Sequence, residues 1–219
     1  INSVTSGAVF GGFSVRQDHI DFLGKKADQP AINEVWDVRT WNAEPLSGSN
    51  AYIVDLTTFL STGGNSSIIF EAYRYGGGIG IRANEEWTNE NSTVLTSEGK
   101  TRADADGTRA RWTDINGAFK GNGQSGIVFF SHPSNREHPE PMRVWPPDAN
   151  NGRGDVYFEF CPNRLKSWVI KPGNVYRLKY RMLVYDGKVD KQTADRIWND
   201  FAYPPSVQVI QGKNQSLSQ

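Results

Sequence analysis

The sequence predicts an all-β fold, an antiparallel β-sandwich with one short C-terminal helix. Three observations carry this. Short β-branched or aromatic runs recur along the chain, bounded by Gly, Asn, Asp and Ser. Several of them alternate with the period of two that a strand imposes on its faces. Only one segment has helical periodicity. The 219 residues hold 7 Trp, 8 Tyr and 11 Phe, enough aromatic surface for the core of a single sandwich domain spanning 1–210, followed by a polar, flexible tail at 211–219.

In chain order, strands are expected at Ala8–Val15, His19–Leu23, Asn33–Trp41, Ala51–Phe59, Ser67–Arg74 and Gly78–Arg82. Further strands follow at Thr108–Ile115, Ser125–Ser131, Met142–Trp145, Asp155–Phe160, Trp168–Ile170 and Asn174–Tyr185. In the third, Glu34, Trp36, Val38 and Thr40 share one face, while Val35, Asp37, Arg39 and Trp41 share the other. Aromatic groups on both faces imply burial on both. In the last, Tyr176, Leu178, Tyr180, Met182 and Val184 oppose Arg177, Lys179 and Arg181, as in a half-solvated strand. Asn116-Gly117 and Asp186-Gly187 are hairpin dipeptides, and Lys171–Asn174 is a turn. Asp190 caps a helix whose Ala194, Ile197, Trp198 and Phe201 form an apolar stripe, and Pro204-Pro205 ends it.

Composition excludes several functions. Lys plus Arg and Asp plus Glu are both 24, and no basic block gives a nucleic-acid footprint. The longest apolar runs, such as Gly126–Phe130, are about five residues against the roughly 20 of a spanning helix, so no membrane insertion is expected. The single Cys161 forms no internal disulfide and no thiolate cluster. No cofactor and no metal site are expected: His132 and His138, with Glu137 or Glu140 nearby, lack the spacing of a shared ligand set. The glycines of Tyr75–Arg82 lie in a strand pattern and do not open a helix, which argues against a phosphate loop.

Candidate chemistry gathers on the loop His132–Trp145, where an apolar strand delivers polar groups into a proline-stiffened segment. The expected site is one polar pocket, with His132 and His138 as acid/base groups and Asn135, Arg136, Arg143, Trp145 and Arg82 as binding groups. Equally, a long sandwich loop can use its histidines to satisfy backbone carbonyls. Glu34, Glu71, Glu140 and Glu159 supply carboxylates. Among these, Glu71 and Glu159 lie in apolar strands, where desolvation would raise a pKa.

Tyr75–Arg82, Arg111–Asp114, Gly126–Pro139 and Leu178–Gly187 occur in that order. Together they resemble a bacterial family of unknown function often labelled "methane oxygenase PmoA", over about Val9 to Pro205. The stretch His132-Pro133-x-Asn135-x-x-His138-Pro139 is its most specific part. The resemblance implies a galactose-mutarotase-like sandwich, a secreted or periplasmic protein and a link to sugar breakdown. It also implies that a further N-terminal segment with a His-rich motif is missing here. The oxygenase label conflicts with the chain, because the membrane enzyme of that name is a bundle of spanning helices. The expected ligand is a saccharide. The protein would then be either a carbohydrate-active enzyme of hydrolase or epimerase type, or a non-catalytic sugar-binding or structural module.

Overall fold

The computed structural model describes residues 1–22, 29–44, 46, 48–119 and 123–208. Its main layer is an eight-stranded antiparallel sheet in the order β1-β2-β3-β4-β14-β10-β9-β7. These strands are β1 (Ser3–Thr5), β2 (Phe10–Ile20), β3 (Pro30–Trp41), β4 (Ala51–Thr62), β7 (Ser92–Thr96), β9 (Trp112–Phe119), β10 (Gly123–Ser131) and β14 (Tyr176–Asp186). Facing it are a four-stranded sheet, β6-β12-β11-β8, and a two-stranded sheet, β13-β5. Their strands are β5 (Ile68–Phe70), β6 (Gly80–Arg82), β8 (Arg109–Ala110), β11 (Glu140–Val144), β12 (Tyr157–Phe160) and β13 (Trp168–Ile170). The helix α1 (Lys191–Ala202) lies against the opposite, rear face of the main sheet.

The period of two distributes side chains between two cores. In front, Val94, Ile115, Phe129, Leu178 and Tyr180 of the main sheet meet Met142, Val144, Phe158, Phe160, Trp168 and Ile170 of the smaller sheets. Behind, Ile53, Trp112, Val128, Phe130, Leu183 and Tyr185 pack under Ala194, Ile197 and Trp198 of α1. Each large side chain so buried contributes about 2 kcal/mol. Asp190 caps the helix as expected, its Oδ1 accepting from the Thr193 N–H at 2.7 Å. β14 is half-solvated only at its Arg177 end, because Leu183 and Tyr185 on the same face are covered by α1.

Several expected boundaries move. His19 continues β2 rather than starting a new strand, and Leu23 lies outside the described residues, as does the tail 211–219. The run from Thr108 divides at Arg111: β8 pairs with β11, and β9 crosses into the main sheet. Edge strands β1 and β7 were not expected. Asn116-Gly117 is no turn; the pair sits inside β9, opposite Gly126 and Ser125 of β10. The glycine is needed there because the Trp87 indole covers it, and a Cβ would lie 2.6 Å from that ring. Asp186-Gly187 closes no hairpin either: Gly187, at φ 89°, turns the chain from β14 toward α1.

Candidate active site in the front cleft

Where β2, β3 and β4 run out beyond the smaller sheets, the front face of the main sheet forms the floor of a cavity of about 630 Å³. Alternation brings Glu34 and Trp36 of β3 to that face, opposite Leu60 and Thr58 of β4. From β2, His19 leans diagonally onto Glu34, with Nε2 2.8 Å from Oε2. The Thr58 hydroxyl donates to the other oxygen, Oε1. Glu34 is thus gripped at both oxygens and only 12% exposed, while His19 is 52% exposed. With Nε2–H donated to a carboxylate, the imidazole is held in the tautomer whose Nδ1 can accept a proton. Nδ1 has no hydrogen bond among the described residues.

The opposite wall comes from the end of β5 and the segment after it. Phe70, Glu71, Tyr73, Tyr75 and the glycines 76–78 line it together with Asn163. The glycine run precedes β6 instead of forming part of it, and makes a close backbone approach. A Cβ at Gly78 would lie 2.0 Å from the Phe160 carbonyl oxygen, and Gly77 has φ 89°. Glu159 pins this wall by accepting from the Gly76 N–H at 2.7 Å and the Tyr157 hydroxyl at 2.7 Å. Asn163 donates from Nδ2 to the Glu71 carbonyl at 2.9 Å, while its buried Oδ1 has no partner among the described residues. The cleft therefore offers several aromatic side chains, a histidine–carboxylate pair and an unsatisfied acceptor.

The residues singled out from sequence do not form one pocket. Arg82, Arg143 and Trp145 line a separate shallow depression of about 370 Å³. There the Arg82 guanidinium sits 4.5 Å above the Trp145 ring and 5.4 Å from that of Tyr157. Arg143 pairs with Asp106 at 2.8 Å, and Trp145 donates to the Tyr75 hydroxyl at 3.1 Å. Arg136 lies over Trp168 and donates to the Ser167 carbonyl at 3.0 Å. His132 opens onto a rear cleft, on the α1 side of the sheet.

His138 and Asn135 instead serve a buried hub around Glu140. This fully buried carboxyl accepts from Tyr180 at 2.8 Å, from Asn135 Nδ2 at 3.0 Å and from the Ser131 hydroxyl. Asn135 also clasps Lys179, donating to its carbonyl and accepting from its N–H, both at 2.8 Å. His138 stacks parallel on Trp198 with Nδ1 3.1 Å from Ser131 Oγ. The proline-stiffened loop thus folds back onto the core, which takes both residues away from the front cleft. Desolvation raises Glu140 to about 7 despite its hydrogen bonds. Burial likewise raises Asp114, on the rear face, to about 6. Burial also holds both loop histidines neutral: it lowers His138, helped by Arg111, and lowers His132 to about 4, helped by Lys179 and Arg177. Among the described residues no three His, Cys, Asp or Glu side chains converge as a metal site would require.

Sequence reasoning passed over His19, Tyr73 and Asn163. Glu34 and Trp36 were visible on one strand face, but the β2–β3 register that delivers His19 to Glu34 was not.

The fold and cleft define an antiparallel β-sandwich with an aromatic-lined cavity and a histidine–carboxylate pair at its floor. The chain belongs to the family described as "Family of unknown function (DUF6807)", whose sequence model matches residues 1–199. Comparison with curated proteins gave no match. No helix among the described residues is long and apolar enough to cross a membrane.

Proposed function

We propose that the protein binds a saccharide in the front cleft and that His19, oriented by Glu34, moves a proton on one of its hydroxyls. The observation that carries this is the His19–Glu34–Thr58 relay at the floor of a cavity walled by Trp36, Tyr73 and Tyr75. Aromatic faces stack on pyranose rings, while a few fixed polar groups set orientation. A histidine whose far nitrogen is tied to a carboxylate is built to take a proton at the near one. This is hydrolase- or epimerase-type chemistry, in keeping with the mutarotase-like character implied by the sequence resemblance. A secreted or periplasmic location rests on the same resemblance. The site differs from the His132/Asn135/Arg82 pocket expected from sequence, but the ligand class is the same.

A non-catalytic binding module is the second reading, favoured by the full occupation of both Glu34 oxygens. Isothermal titration over neutral mono- and oligosaccharides, paired with exchange spectroscopy of their anomers, separates the two. Affinity between about millimolar and micromolar is expected, with Trp36→Ala weakening it about tenfold. In the enzymatic reading, His19→Ala abolishes accelerated anomer exchange or bond cleavage while binding persists. Binding without any turnover supports the module. Failure of every saccharide to bind refutes both.

A further inference from the structure

The rear face of β3, β4 and β14 carries a second cleft, of about 490 Å³, closed on one side by Phe201 and Pro204 at the end of α1. The same alternation that sends Glu34 and Trp36 forward sends Asp37, Arg39 and Trp41 back, beside Asp55, Thr57 and Phe59 of β4. From β14, Arg177, Lys179 and Arg181 stand opposite Phe59, Thr57 and Asp55 on this face.

Charge is unevenly satisfied here. Asp55 is saturated, holding Arg181 in a two-pronged pair at 2.7 and 2.8 Å and accepting from Trp41 Nε1 at 2.8 Å. Asp37 takes both prongs of Arg39, at 3.1 and 3.2 Å. Asp200, at the rim, is 3.6 Å from Arg196. Once these pairs are made, Arg177 and Lys179 are left without a hydrogen bond or ion pair to any acidic side chain among the described residues. His132 completes the wall. The Ser134 N–H donates to its Nδ1 at 3.0 Å, so the neutral ring carries its proton on Nε2, a donor with no partner among the described residues. Unpaired cations and a free N–H are therefore concentrated at one end of a partly apolar cleft.

We propose that this rear cleft binds the oxyanion group of a small acidic ligand, a carboxylate or a phosphate, held by Arg177, Lys179 and the His132 Nε2–H, with its carbon skeleton against Phe59 and Phe201. Charge-assisted hydrogen bonds of this kind are the strong ones. The front cleft takes no part in the assignment.

Isothermal titration with glucuronate, glucose 6-phosphate and inorganic phosphate, with glucose as the neutral control, tests it. Both acidic sugars are expected to bind more tightly than glucose. Lys179→Met and Arg177→Met should each weaken them about tenfold, whereas Trp36→Ala, in the front cleft, leaves that acid-dependent increment intact. Lys179 is held by Asn135 through its backbone alone, so its side chain can be shortened of charge without breaking that clasp. Phosphate binding as tightly as the sugar acids would assign the site to free oxyanions. Weaker binding of phosphate alone would place part of the recognition on the carbon skeleton. The assignment is overturned if no acidic probe saturates the protein below about 10 mM, or if the advantage over glucose survives both Met substitutions or disappears in Trp36→Ala.

Discussion

Glu140→Gln is expected to change the pH dependence of stability rather than simply lower it. The Glu140 carboxyl titrates near 4.5 when solvated and at about 7 in the folded protein. Between those values the native state keeps a proton that the unfolded chain has released, so the native state binds more protons and stability falls as pH rises. Below 4.5 both states are protonated and the group costs nothing. Above about 7 the full penalty of a buried carboxylate is present, about 3 kcal/mol for a displacement of this size. Glutamine cannot ionise, so it removes that pH-dependent part. Its amide satisfies Asn135 and Ser131 with Oε1 by turning Nε2 to Tyr180, whose hydroxyl then accepts and loses the acceptor it had, a pH-independent loss of about 1 kcal/mol. Urea unfolding of both proteins at intervals from pH 4.5 to 8.5 measures the difference. The wild type should be the more stable at the acid end, with the difference shifting by about 3 kcal/mol toward the variant at the alkaline end. The depressed His132 and His138 add the opposite slope, stability lost as pH falls below 6.5, but equally in both proteins. A difference that stays flat with pH would refute the assignment of a neutral Glu140.

Three further outcomes follow from the packing. Gly117→Ala forces a Cβ into the Trp87 ring and should cost about 1–3 kcal/mol in urea unfolding. Arg102→Met abandons three backbone carbonyls, those of Trp145, Pro146 and Asp155, which the buried guanidinium serves; a loss of about 3 kcal/mol, read as a lower Tm, is expected. Cys161 is fully buried, and burial together with the nearby Glu159 pushes its thiol up to about 12. It should therefore react with an aromatic disulfide at pH 8 only at the rate at which the protein opens, and rapidly in denaturant.

The fold was legible because strand periodicity is a local property. The Tyr176–Tyr185 alternation, the Asp190 cap and the apolar stripe of α1 all appear as the residues implied. What lay beyond the sequence was cross-strand partnership. Asn116-Gly117 has hairpin chemistry, yet an indole from Trp87, thirty residues upstream, claims the space above the glycine. The loop histidines stood out as polar groups on a stiff segment, but Glu140 draws that segment inward through Ser131 and Asn135. His19 sits in a polar run with nothing to mark it, and only pairing of β2 with β3 sets it against Glu34. A charged cluster in sequence can be a core feature, and a lone histidine can belong to a cleft.

Because one strand layer separates the two clefts, β3 contributes to both through alternate residues, Glu34 and Trp36 on one side and Asp37, Arg39 and Trp41 on the other. Deleting a single residue within that strand would exchange the two sets, carrying the carboxylate of the histidine pair to the basic side and the Arg39 cation to the aromatic one. Point substitutions can tune either cleft alone, whereas any length change must come as a pair of residues or fall outside Pro30–Trp41. Divergence among natural versions of this strand is therefore constrained in length far more tightly than in composition, and insertions should collect in the connections between strands.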